Sequence, residues 1–144
     1  MKAYQYKNLI YIPVYKNAAT SHEILFGRTL NWTEILSETI DWNNSTVFAH
    51  ISNPYLRHLR GTTQFLVQNN LESVVDDPRF ERFLVSGYFD HHCYPLTLMF
   101  GEKTSKINWL PLDHPKMSSN AITCSFLKQH GVDISEQQIG RAHV

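Results

Sequence analysis

Lys16, Asn17, Ala18, Ala19, Thr20 and Ser21 stand between an apolar run and a helically periodic one. Small residues leave backbone amides open, Lys16 carries a full positive charge, and Thr20 and Ser21 carry hydroxyl donors, so the segment suits an oxyanion such as phosphate. The spacing of a Walker loop is missing. The same residues also suit an ordinary capped helix, with Thr20 or Ser21 near the cap and Lys16 in solvent. Elsewhere His91, His92 and Cys93, with Asp113 and His114, are zinc-compatible types. They lack the i, i+4 and Cys-x-x-Cys spacings of strong zinc motifs, and no metal is expected. His50 reads as a hydrogen-bonded core residue. Trp32, Trp42 and Trp109 read as core aromatics, with the lining of a cleft as the alternative.

The elements that must position these residues follow from periodicity. Leu9 to Val14 is short, apolar and β-branched, which predicts a buried first strand. Ile24, Leu25, Phe26 and Leu30 predict a helix over Ala19 to Leu30, weakened at its far end by Gly27. Thr46 to Ile51 predicts a second strand that stops at Ser52, Asn53 and Pro54. Pro54 suits a first helical turn, and Tyr55, Leu59, Thr62, Phe65 and Leu66 predict one apolar stripe on a helix running to Asn69. Pro78 opens a further expected helix, and Gly87 to Pro95 reads as a loop. Ile107 to Pro111 predicts a short late strand, and Ala121 to His130 a last helix closed by Gly131. Strands alternating with helices predict an α/β domain on a mainly parallel central sheet, with ligands beyond the carboxyl ends of the strands.

Composition narrows the function classes. A chain of 144 residues is expected to form a single domain spanning 1–144. Thirteen Lys and Arg balance thirteen Asp and Glu, so no global basic field exists to recruit nucleic acid or an anionic membrane. Hydrophobic content of 42% with 18% charged residues is globular composition, which excludes long disorder. Cys93 and Cys124 are too few for a disulfide scaffold and suit a reducing, cytoplasmic compartment. No apolar run approaches the roughly 18 residues that span a bilayer, so a soluble chain without signal peptide or membrane anchor is expected.

Two loops taken together resemble a known family. Ser52, Asn53, Pro54, Tyr55, Leu56, Arg57, His58, Leu59 and Arg60 follow the second strand. With the Lys16 segment they are similar to the motifs of sulfotransferases that use 3′-phosphoadenosine 5′-phosphosulfate, especially the carbohydrate sulfotransferases. In that family the first strand runs into Pro-Lys-x-Gly/Ala-Ser/Cys-Thr-Ser/Asn, matched here by Lys16, Ala18, Thr20 and Ser21. A later strand runs into Arg-Asp/Asn-Pro-Tyr-x-Arg-Leu-x-Ser, matched by Asn53, Pro54, Tyr55 and Arg57. A looser match to Asp-x-His-Trp/Phe-x-Pro-Gln spans Asp90 to Leu96 and puts His92 on the motif His. The resemblance covers Leu9 to Pro95. Tyr15 replaces the first Pro, Cys93 the aromatic and Leu96 the Gln. Ser52 stands where the family has Arg, and Arg60 where it has Ser.

The resemblance implies a P-loop-like three-layer fold and sulfuryl transfer to a hydroxyl acceptor, a sugar or another small metabolite, without a metal. It implies that Lys16, Asn17, Ala18, Ala19, Thr20 and Ser21 hold the 5′-phosphosulfate. Arg60, reaching back with Ser52 as a minor partner, would hold the 3′-phosphate of the nucleotide and of the product adenosine 3′,5′-bisphosphate. Lys16 would stabilise the leaving phosphate. His92, its neighbour His91 and Glu23 are the candidates for general base, with a structural histidine and a first-turn carboxylate as the ordinary readings. Rival functions on the same elements are a non-catalytic nucleotide- or protein-binding module and a phosphoryl transferase. Against the latter, no acidic Mg²⁺ ligand follows the second strand.

Overall fold

The computed structural model describes residues 1–14, 17–69, 78, 81, 85–87 and 94–141. The chain divides into two compact units, Met1–Ser52 with Ser105–Val144, and Asn53–Thr104. In the first unit β1 (Lys2–Tyr6), β2 (Leu9–Tyr11), β3 (Thr33–Leu36), β4 (Thr46–Ile51) and β5 (Asn108–Pro111) form one sheet in the order β3-β1-β2-β4-β5. The β2–β4 and β4–β5 pairs are parallel, with Tyr11 opposite Phe48 and Ala49 opposite Trp109. The β1–β2 and β1–β3 pairs are antiparallel. The sheet is therefore mixed, and the expected parallel character belongs to the β2-β4-β5 half.

The strand β4 occupies the predicted residues. The predicted first strand is shorter, because Pro13 has no N–H for the ladder. Ile12 N still donates to Phe48 O at 3.0 Å, and Ile12 to Val14 remain buried. The hairpin partner β1 was hidden by weak alternation: only Ala3 and Tyr4 are buried. Lys7 supplies the positive φ, 54°, that a two-residue hairpin turn requires.

The predicted helix over Ala19 to Leu30 splits in two. α1 (Ala19–Glu23) gives way to a π-helical segment, Ile24–Thr29, in which Leu30 N reaches back to Leu25 O at 2.8 Å. Gly27 lies in that segment, where an added Cβ would stand 2.9 Å from Tyr4 Cε1. The glycine is there for the close approach of the Tyr4 ring. Tyr11, Phe26 and Phe48 are fully buried, with Tyr11 and Phe26 ring centroids 4.6 Å apart, and Trp32 packs on Phe26 at 4.6 Å. Burying side chains of this size contributes about 1.5–3 kcal/mol each, which makes this aromatic cluster the main anchor between the sheet and the π-helical segment. The helix α4 (Ser119–Gln129), capped by Ser118 Oγ on Ala121 N at 3.1 Å and followed by Gly131 at φ 86°, and the short α5 (Glu136–Arg141) complete this unit with Leu127 and Ile139 in the core.

In the second unit α2 (Pro54–Gln68) starts at Asn53, whose Oδ1 accepts from Tyr55 N at 2.9 Å. Its buried positions are Arg57, Gly61 and Phe65, spaced by four, whereas Tyr55 and Leu59 are exposed. The predicted stripe is thus rotated, because Arg57 takes an inner position. Its guanidinium donates to Tyr94 O and reaches Met99 Sδ at 3.4 Å, tying α2 to α3 (Leu96–Phe100) and its approach. The expected helix from Pro78 and the loop Gly87 to Pro95 fall largely outside the described residues. Among the described residues no helix is long and apolar enough to cross a membrane.

Candidate functional site

The carboxyl ends of β2 and β4 lie side by side because the two strands are parallel neighbours. Residues 12–18 leave the first end and Ser52 closes the second. Lys16, with Tyr15 before it, lies outside the described residues, as do His91, His92 and Cys93. Asn17 is fully buried and Ser52 nearly so, and Ser52 Oγ donates to Asn17 Oδ1 at 2.6 Å. That bond joins the segment after β2 to the carboxyl end of β4. It also commits the only hydroxyl proton of Ser52 to Asn17. Asn17 Nδ2 has no hydrogen-bond partner among the described residues.

Ala18 adopts the left-handed conformation, φ 59° and ψ 32°, which costs a non-glycine residue about 1–2 kcal/mol. Its carbonyl is held twice by one residue: the backbone N–H of His22 donates to it at 3.2 Å and the ring Nδ1–H at 2.8 Å. The carbonyl can only accept, so His22 carries its proton on Nδ1. The turn ahead of α1 is therefore fixed from below by a buried histidine, a role that sequence reading missed. Neither Thr20 nor Ser21 caps α1, so the ordinary capped-helix reading does not describe this turn. Among the described residues neither hydroxyl has a hydrogen-bond partner; Thr20 is exposed, and Ala19 and Ser21 are half-buried.

His22 stacks on His50 at 3.8 Å between centroids and 22° between planes. The Thr123 hydroxyl donates to Ser119 O at 2.8 Å, so it accepts from His50 Nε2–H, also at 2.8 Å. Burial, reinforced by His22, lowers the His50 pKa to about 2. His50 is a neutral core group, as its place on β4 suggested. Tyr11 stands against both imidazoles, and burial drives its phenol well above the ordinary range.

Thr20 and Glu23, three apart on α1, line a groove of about 740 Å³ between the α1–π segment and the β1 and β3 strands. Tyr4, Gly27 and Trp32 contribute to its wall. Burial, with the Glu23 and Glu34 carboxylates nearby, raises the Tyr4 phenol pKa. A smaller cavity of about 350 Å³ shares Thr20 and Glu23 and adds Pro13 and Ala19. Of the tryptophans, Trp32 is both core and groove wall. Gly27 in mid-helix was the sequence signal for a close approach here. Arg60 belongs to the second unit, exposed on α2 one turn beyond Arg57. Among the described residues no group of three or more His, Cys, Asp or Glu is gathered to hold a metal.

Comparison with protein-family models, with curated proteins and with solved structures returns no match for this chain.

Proposed function

We propose that the chain is a sulfotransferase, moving a sulfuryl group from 3′-phosphoadenosine 5′-phosphosulfate to a hydroxyl of a sugar or other small metabolite. The observation that carries this reading is the Ser52–Asn17 hydrogen bond. It ties the first motif segment to the carboxyl end of the adjacent parallel strand β4, and open α/β sheets take their ligands at such strand ends. The Thr20 and Ser21 hydroxyls, without partners among the described residues, and the left-handed turn at Ala18 support it, since open donors suit phosphate oxygens.

When bound, the phosphosulfate supplies an activated sulfuryl group and a phosphate leaving group. Thr20, Ser21 and the amides of residues 18–21 bind its oxygens, the Asn17 amide being held by Val14 O. Asn17 has its carbonyl oxygen on Ser52 and shapes the turn. Arg60 takes the 3′-phosphate, with a charge-assisted contact worth about 1.5–3 kcal/mol. Glu23 or His92 accepts the proton of the acceptor hydroxyl as its oxygen bonds to sulfur. The bond from sulfur to the phosphate oxygen breaks, its electron pair stays on that oxygen, and Lys16 stabilises the charge. No residue in this scheme calls for a metal.

The test is thermal unfolding with adenosine 3′,5′-bisphosphate against 5′-AMP. A ligand of the native state at about a hundredfold excess over its Kd stabilises by about 2.7 kcal/mol. The bisphosphate is expected to raise the melting temperature by several degrees and 5′-AMP much less, with Arg60→Ala erasing the difference. Lys16→Ala is expected to slow transfer far more than it weakens bisphosphate binding. Equal shifts from both nucleotides would remove the 3′-phosphate site and return the chain to a non-catalytic module.

A further inference from the structure

We propose that the groove beside α1 is the acceptor cleft and that it takes an uncharged polyol of monosaccharide to disaccharide size, in preference to a polyanionic or a flat apolar acceptor. The proposal rests on the sulfotransferase reading for the word acceptor, and on the groove alone for the polyol. At about 740 Å³ the groove falls inside the roughly 300–1,000 Å³ range of small-molecule sites. Thr20 ties it to the loop motif, and Glu23 follows one turn later on the same helical face. A ligand in the groove therefore reaches the carboxylate and the loop together.

Charge does not draw anions into the groove. Four charged side chains line the groove: Lys2, Arg28, Glu23 and Glu34. Lys2 is engaged by Glu34 at 3.0 Å, which leaves Arg28 opposed by Glu23 within the same lining. Two cations balance two carboxylates, so the lining offers a polyanion no net positive field. A flat apolar ring fares no better, because Tyr4 and Trp32 expose only 9% and 6% of their surface. What the groove does offer is hydrogen-bonding capacity of both signs: carboxylates, the Thr20 and Thr33 hydroxyls and the Asn31 amide, beside the edges of two aromatic rings. Those are the needs of neutral hydroxyl groups on a carbon ring.

The test uses the full chain, labelled with ¹⁵N and titrated by NMR with four neutral disaccharides: maltose, cellobiose, lactose and trehalose. Comparators are a uronic-acid disaccharide and 4-nitrophenol, and adenosine 3′,5′-bisphosphate binding is measured on the same sample. At least one neutral disaccharide is expected to shift the amides of Thr20, Gly27, Asn31 and Thr33, and to bind more tightly than either comparator. Asn31 sits at φ 53°, so Asn31→Gly removes the amide without straining the backbone. That variant is expected to weaken the binding between about twofold and tenfold, the range for one lost neutral hydrogen bond, and Glu23→Gln, which removes a charged acceptor, by about tenfold or more. Bisphosphate binding with no response to any disaccharide overturns the groove proposal and leaves the sulfotransferase reading standing. Disaccharide binding without bisphosphate binding upholds the polyol site and overturns its role as an acceptor cleft. Tighter binding of the uronic acid, or unchanged affinity in Asn31→Gly, overturns the polyol assignment.

Discussion

Acidification should unfold this protein through His50. In the unfolded chain that imidazole takes a proton below its ordinary 6.5, whereas in the fold it stays neutral down to about 2. Tyr11 from β2, His22 from α1 and Thr123 from α4 surround it, and none offers a negative charge to an imidazolium. Between those two values the unfolded state holds more protons. The stabilising contribution is thus whole above 6.5 and falls by about 1.4 kcal/mol for each pH unit below it. From neutrality to about pH 4.5 the loss from this one side chain is about 2.5 kcal/mol, a large share of the 5–15 kcal/mol, roughly, that holds a domain together. The control is His50→Gln, which keeps a donor for Thr123 Oγ1 and cannot titrate. Urea unfolding followed by far-ultraviolet circular dichroism at both pH values gives each protein its own acid loss. The wild type should lose about 2.5 kcal/mol more than the variant. Losses that agree within about 0.5 kcal/mol, near the extrapolation error, would refute the argument and place the acid sensitivity on other groups.

Two further substitutions probe the scaffold of the site. Gly27→Ala must push the Tyr4 ring away from a Cβ that would stand 2.9 Å from it, and is expected to cost about 1–3 kcal/mol in the same urea assay. Ser52→Ala leaves Asn17 Oδ1 without its hydroxyl donor in a fully buried position, with an expected cost of about 1–3 kcal/mol.

The sequence was most legible where one force dominates. A six-residue apolar run ending at Ser52, Asn53 and Pro54 has one solution, and β4 occupies it residue for residue. Asn53 and Pro54 start α2 by local hydrogen bonding and fixed φ, both readable without any tertiary knowledge. Legibility failed where tertiary packing outweighs local preference. The face of α2 was misjudged because a buried Arg57, bonded to Tyr94 O, counts as polar in any periodicity. The strands β1 and β3 escaped because each is short and exposed on one side, stabilised by pairing with a neighbour rather than by its own pattern. At the site, nothing in Ala18 signalled the left-handed turn, since a residue with a Cβ disfavours positive φ. The histidine that holds that turn was not implicit either, since His22 works through a carbonyl and a stacked ring brought from β4.

The exchange of Arg and Ser around α2 takes a different meaning once Ser52 is placed. Sequence alone suggests a simple test: Ser52→Arg with Arg60→Ser restores the family order and should restore nucleotide affinity lost in Arg60→Ser. Yet Ser52 is only 7% exposed and its hydroxyl lies 2.6 Å from Asn17 Oδ1. A guanidinium attached there must break that bond, and it must either stay buried without a partner or leave through the turn that Asn17 shapes. Losing the bond costs about 1–3 kcal/mol of stability in the free and the bound protein alike, so affinity turns on whether the guanidinium reaches phosphate, a contact worth about 1.5–3 kcal/mol. From a buried position it reaches out only by disturbing the Ala18 turn, whose amides the same nucleotide needs, and that offsets the gain. The double exchange is therefore expected to bind adenosine 3′,5′-bisphosphate no better than Arg60→Ser alone, even with a working 3′-phosphate site. Calorimetric titration of both variants decides it: full recovery in the double exchange would mean that Ser52 is not committed to Asn17 when nucleotide is bound. A failed recovery is no sign of a decayed site, and the single Arg60→Ala substitution is then the measurement that bears on the 3′-phosphate.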